Sequence, residues 1–318
     1  MKNLVVAALL LVALALAGCA KVVGPYYLNQ EKYKEGIQVL GDQLRENPRD
    51  ASSAYYVGRY YLALNKPKDG LPYLEKAVAL APENADYVFW TGVAHWAMLD
   101  FERERAAYRK ALSLDPGHVS ANLYLGHGYV DQGEWAKALK RYDTVIKLDK
   151  YNPEALFYRG VALNGLGKTT EEIAAWKKLL EYYPAGSLGM QATARLNLHG
   201  DFSYRNYIIG KRNITLKSMT FKPGSNAPDA RSKETLHVLS ALLETNKDLV
   251  VHVVSYVEGD ARRARERAQA VRDYMLAGHP DIGTDRLPLS WFGTAEKVEA
   301  GNKTFPLAES VNFITEVR

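Results

Sequence analysis

The chain has 318 residues, 47% hydrophobic and 24% charged, a balance that excludes a disordered polymer and suits about two domains of roughly 100–200 residues each. Its net charge of +5, one less without Lys2, is too small to support nucleic-acid binding and only leans toward anionic partners. The single cysteine, Cys19, rules out an intrachain disulfide and any Cys-based metal cluster.

The chain opens with Lys2, an unbroken Leu/Val/Ala run from Leu4 to Leu16, and then the small residues Ala17 and Gly18 before Cys19. These are the three regions of a removable secretion signal. The apolar run is shorter than the about 20 residues a membrane span needs. Leu16-Ala17-Gly18-Cys19 resembles the bacterial lipobox. That resemblance implies that residues 1–18 are removed, that the Cys19 thiol is diacylated and its new amine acylated, and that residues 19–28 form a short tether. Several acyl chains at about 0.8 kcal/mol per buried CH₂ anchor a protein firmly. Ala20, where enteric sorting reads Asp as retention in the inner membrane, implies an outer-membrane lipoprotein on the periplasmic face. The other reading is a plain signal peptide with an incidental thiol.

Four registers then share one period. Gly58, Gly92, Gly126 and Gly160 are spaced by 34 residues, and Pro48, Pro82, Pro116 and Pro184 lie on the same grid with Lys150 in the missing slot. Ala77 and Ala111 keep step, as do Leu74, Tyr108, Tyr142 and Trp176. Within the third copy, Leu125-Gly126, Tyr129, Gly133, Ala138 and Tyr142 stand at the spacing of the tetratricopeptide repeat, which this region resembles. The resemblance implies an all-α solenoid over 29–199: a lone second helix around Tyr33 to Arg45, four full repeats, and a capping helix near Ser187 to Asn197. A single unit cannot bury its apolar face, so neighbours must stack. The family's geometry directs Tyr55, Phe89, Leu123 and Phe157 toward a groove, with Arg59, Trp96 and His127 nearby. Such a row suits a protein partner's peptide or helix; the alternative is that these residues only pack the helix layer.

After Leu198 the period is lost. Residues 200–213 read as a linker. Ile214 to Phe221 reads as a strand, Ser232 to Glu244 as an amphipathic helix, Leu249 to Tyr256 as a buried strand, and Ala261 to Leu276 as a helix capped by Asp260. Leu287 to Phe292 and Val311 to Val317 complete the order β-α-β-α-β-β. Val250 to Tyr256, followed by Arg267-Ala268-Gln269-Ala270-Val271 and Tyr274-Met275, resembles the OmpA-like, peptidoglycan-binding type of domain over 214–318. The whole chain therefore reads as a multidomain protein, a tetratricopeptide-repeat solenoid followed by a small α+β OmpA-like domain. The resemblance implies that Arg267 takes a carboxylate of the cell-wall peptide and that Glu258, standing in the family's aspartate slot, takes its ammonium. The sequence departs from the family in that glutamate, in a shortened loop before the helix, and in Glu309-Ser310-Val311 for the usual Arg-Arg-Val. Arg262 and Arg263 join Arg267 in the first turns of the helix, where positive charge opposes the helix dipole. They form either an anion site or a solvated face paired with Glu258, Asp260 and Glu266.

No nucleophile elbow, Walker loop, His-Glu-x-x-His or Cys cluster occurs, and the histidines lack metal-ligand spacing. No enzyme, cofactor or metal is expected. The sequence predicts a lipid-anchored envelope scaffold that recruits a protein through the repeat groove and contacts peptidoglycan through its last domain. The alternative is a part of a larger envelope assembly whose last domain docks protein and has lost the cell wall.

Overall fold

A computed structural model describes residues 20–317; the segment expected to be a signal and Cys19, expected to be lipidated, lie outside the described residues. A helical array of tetratricopeptide type runs over about residues 20–198, followed by an α+β region with small sheets. The chain divides into two compact units with the boundary between Tyr158 and Arg159.

The first unit begins with α1 (Ala20–Asn29) and α2 (Tyr33–Glu46). The segment expected as a tether is thus a helix whose Ala20 and Gly24 are buried. Consequently α2 is not a lone second helix: α1 stands before it as its pair. Three helix pairs follow: α3 (Ala51–Ala63) with α4 (Pro67–Leu80), α5 (Ala85–Ala97) with α6 (Phe101–Leu114), and α7 (Val119–Asp131) with α8 (Trp135–Leu148). The helix α9 (Pro153–Gly165) spans the boundary.

Local chemistry sets these ends. Asp50 accepts from the amides of Ser52 and Ser53 at 3.0 and 3.1 Å, Asn84 from Tyr87 at 3.1 Å, and Asp100 from Arg103 at 3.2 Å. Each satisfies donors that the first helical turn leaves without partners. His118 does the same through Nδ1 for Ala121.

The period itself is explained by close packing within each pair. A Cβ built on Gly58 would lie 2.6 Å from Leu74, on Gly92 2.5 Å from Tyr108, and on Gly126 2.7 Å from Tyr142. The small residue on the first helix makes room for the large, fully buried one on the second.

The second unit continues with α10 (Thr169–Tyr182) and α11 (Gly186–Leu198). The same device recurs here: a Cβ on Gly160 would lie 2.5 Å from Trp176. No linker follows. Residues 204–209 form β1, paired antiparallel with β2 (Arg212–Lys217), and Asn197 on α11 donates to the carbonyls of Asp201 and Tyr204 at 2.8 and 2.9 Å. The expected linker is therefore a strand pinned to the last helix. The strand expected at Ile214 to Phe221 is shorter and begins earlier.

Next come α12 (Ala230–Thr245), β3 (Leu249–Val257) and α13 (Ala261–Gly278), the last capped by Asp260, which accepts from Arg263 N at 2.8 Å. Then follow β4 (Leu289–Phe292), β5 (Glu296–Ala300), β6 (Lys303–Leu307) and β7 (Glu309–Val317). A three-stranded sheet has the order β4-β3-β7, with β4 parallel and β7 antiparallel to β3. Its core includes Leu236, Leu239, Leu243, Val251, Val253, Val271 and Phe313. The hairpin β5–β6 was not expected from sequence. It is held by Arg205 on β1, which forms a two-point ion pair with buried Glu296 at 2.8 and 2.9 Å.

Candidate functional site

Two places were singled out by sequence: the first-helix face of the repeats and the start of α13.

On the repeats, the residues expected to line a groove are core. Tyr55 is 5% exposed, Phe89 3%, Leu123 8% and Phe157 7%. The expectation of an exposed row is corrected: a helix turns 100° per residue, and these positions point between helices. Arg59 and His127 are half-buried, and Trp96 is exposed.

The partly exposed aromatics stand one residue later, at Tyr56, Trp90, Tyr124 and Tyr158. This second register has the same 34-residue spacing and is aromatic in all four copies, so the signal was present in the sequence but masked by its neighbour. Each ring meets a group of the preceding first helix. The Arg59 guanidinium lies 3.9 Å from the Trp90 ring centroid, Tyr124 is 5.8 Å from Phe89, and Tyr158 is 4.3 Å from His127.

A polar network runs beneath the rings. Arg59 donates to the Tyr55 hydroxyl at 3.2 Å, and Tyr55 donates to Asp86. His118 Nε2 lies 3.6 Å from Asp86. Burial pushes the Asp86 carboxyl up, but hydrogen bonds from His118 and Tyr55 outweigh it and hold the group below its ordinary value. Further along, His127 hydrogen-bonds Tyr142 at 2.9 Å and lies 3.6 Å from Glu154. Burial depresses its basicity, with Glu154 opposing. The face thus offers flat rings, one cation at Arg59, and acids at Asp86 and Glu154. It can grip apolar side chains and orient a polar backbone.

At α13 the arginines part company. Arg262 is exposed and lies 3.6 Å from Glu266, the helical pairing. The side chain of Arg267 is buried, its guanidinium 4.4 Å from the Phe221 ring and 2.9 Å from Glu309 at the start of β7. Arg263 reaches the other Glu309 oxygen at 3.4 Å. Together with Thr220, Phe221 and Ser310 these three line a cleft of about 350 Å³. Glu258 does not line it. The structure therefore brings Arg263 and Arg267 together in the cleft, and places a carboxylate of the chain itself against the arginines. Arg267 Nε is buried without a hydrogen-bond partner.

Among the described residues no group of three or more His, Cys, Asp or Glu side chains could hold a metal, and no helix is long and apolar enough to cross a membrane.

Family models for the tetratricopeptide repeat match residues 58–119, 126–167 and 154–185. These segments are tetratricopeptide repeats. Among solved structures, PilF of Pseudomonas aeruginosa is 16% identical with a TM-score of 0.51, over 56% of this chain and 82% of that one. MamA is 24% identical over 50% and 93%, TM-score 0.46. YrrB, described as a TPR protein with an unusual peptide-binding site, is 17% identical over 55% and 92%, TM-score 0.46. The likeness to PilF is one of fold alone. No curated protein matches the chain.

Proposed function

We propose that this protein is a lipid-anchored scaffold of the bacterial outer membrane, held by acyl chains on Cys19, that recruits a protein partner through the first-helix face of its repeats. One observation carries the reading: the bridged aromatic row of Trp90, Tyr124 and Tyr158 beside Arg59, with Trp96 53% and Tyr124 41% exposed. Rigid rings with a cation beside them are the side chains that concentrate binding energy at protein interfaces.

The α+β region is read as an OmpA-like domain over 214–318. The parallel β3–α13–β4 unit with β7 antiparallel to β3 supports this. Its role here is to dock protein, because Glu309 already fills the carboxylate position at Arg267. Peptidoglycan contact is the second reading, and it draws on the buried, half-satisfied Arg267. Sedimentation of residues 20–318 with purified sacculi separates the two. At physiological salt the wild type stays in solution, while Glu309→Gln, which releases Arg267, gains sedimentation. A wild type that pellets, and loses this with Arg267→Ala, would establish the second reading and overturn the first.

A further inference from the structure

Helix α1 has one face fully used and one left open. Ala20 is 3% exposed, Gly24 leaves no room for a side chain beneath the Tyr56 ring, and the Tyr60 hydroxyl donates to the Gly24 carbonyl at 2.9 Å. At 3.6 residues per turn the opposite stripe is then fixed. It carries Val22 and Tyr26, a turn apart, 54% and 52% exposed. Lys21 stands beside them, and no acidic residue occurs from Ala20 to Gln30.

Two large apolar side chains next to an unopposed cation complement a surface that offers apolar depth and negative charge together. A bilayer of anionic lipid is such a surface, and tyrosine is favoured at its water boundary. The place of α1 in the chain points the same way. It starts at the residue after Cys19, about 3.8 Å along the backbone, and Ala20 is already packed. Acyl chains on Cys19 would leave no slack between the bilayer and the array. Val22 and Tyr26 then lie about 5 and 10 Å from the anchor along the helix axis.

We infer that α1 lies flat on the membrane, with Val22 and Tyr26 in the headgroup region and Lys21 among lipid phosphates. The membrane is the partner of this face, and the repeats are held against it rather than swinging on a tether. This rests on the lipid-anchor reading of Cys19.

The test uses the full lipidated chain in phosphatidylethanolamine–phosphatidylglycerol vesicles containing doxyl-labelled lipid. With Cys19 acylated, Tyr26→Cys supplies one free thiol for an environment-sensitive fluorophore. Val22→Cys serves as a second site, Lys110→Cys on the exposed side of α6 as the control, and circular dichroism checks the fold of each. Emission at 22 and 26 should be blue-shifted and quenched several-fold more than at 110. Water-like emission at 22 and 26, on chains whose mass shows the acyl groups, overturns this inference and leaves the anchor standing. A blue shift without lipid quenching means that protein covers the face and also overturns it. A mass lacking acyl groups overturns the anchor and this inference together.

Discussion

At the scale of single residues, each repeat must turn sharply between its helices, and the turn has a left-handed position. Gly133 and Asn65 fill it in two copies and Gly167 in another. In the second repeat it is Leu99, with φ 61° and 74% exposed. A left-handed leucine costs roughly 1–2 kcal/mol, so Leu99→Gly should raise the unfolding free energy by up to about 1 kcal/mol once the added chain entropy is counted. Glycine has the opposite meaning where backbones approach. Gly126→Ala drives a methyl into Tyr142 and should cost about 1–3 kcal/mol. Gly41 lies mid-helix in α2 with nothing near it, so Gly41→Ala should stabilise by roughly 0.5–1 kcal/mol. Chemical denaturation of the three variants measures all of these. Glu104 gives a pH test. It is buried at 5% exposure, and burial pushes its carboxyl from 4.5 up to about 7, with Arg105 opposing and Asp131 reinforcing. The folded state therefore holds the proton more tightly than the unfolded chain. The stability this group contributes should be full below pH 4.5 and fall as pH rises toward 7. Glu104→Gln should flatten that decline and be the more stable form at pH 8; equal denaturation profiles at pH 5 and pH 8 for both forms would sink this. The residue scale is also where sequence reading slipped. Tyr55 and Tyr56 are both aromatic, and only packing against the neighbouring helices shows that the later register is the one that reaches solvent.

At the scale of elements, the repeats were legible because each helix pair solves its packing locally, with Gly against Leu74, Tyr108, Tyr142 or Trp176. The strands of the second unit were legible where they are apolar, as in β3, whose residues are buried except for half-buried His252 and Tyr256. Strand β1 and the hairpin β5–β6 were not. Their stability comes from contacts distant in sequence, such as Arg205 with Glu296 and Phe202 with Phe305, and Glu296-Lys297-Val298-Glu299 carries little apolar pattern. The join between α10, α11 and the first strand follows the same rule. Buried Glu172 accepts from Asn164 at 3.1 Å and from Trp176 at 3.0 Å, and lies 3.1 Å from His199. Glu172→Ala leaves three polar groups without their acceptor and should cost about 3–5 kcal/mol, the range for breaking a buried charged network. Hydrogen exchange should then show α11 and β1 opening together. In the α13 cleft Glu309, part of the departure Glu309-Ser310-Val311 noticed in sequence, pairs with Arg267 and Arg263, whereas Glu258 is not among the residues that line it.

At the scale of the whole molecule, a run of tetratricopeptide repeats is followed by an α+β region in which Glu309 pairs with Arg263 and Arg267. The elements place rings and a cation along one face of the repeats and set Glu309 against the arginines of the α13 cleft. Recruitment of a protein is the central claim, and site-specific photo-crosslinking in living cells tests it most directly. A benzophenone amino acid would replace Trp96 or Tyr124 on the first-helix face, and Lys110 or Lys147 on exposed sides of second helices, with adducts identified by mass. The account predicts that one protein is captured at both 96 and 124 and at neither 110 nor 147. Capture of nothing at 96 and 124, or the same adducts at all four positions, would contradict it.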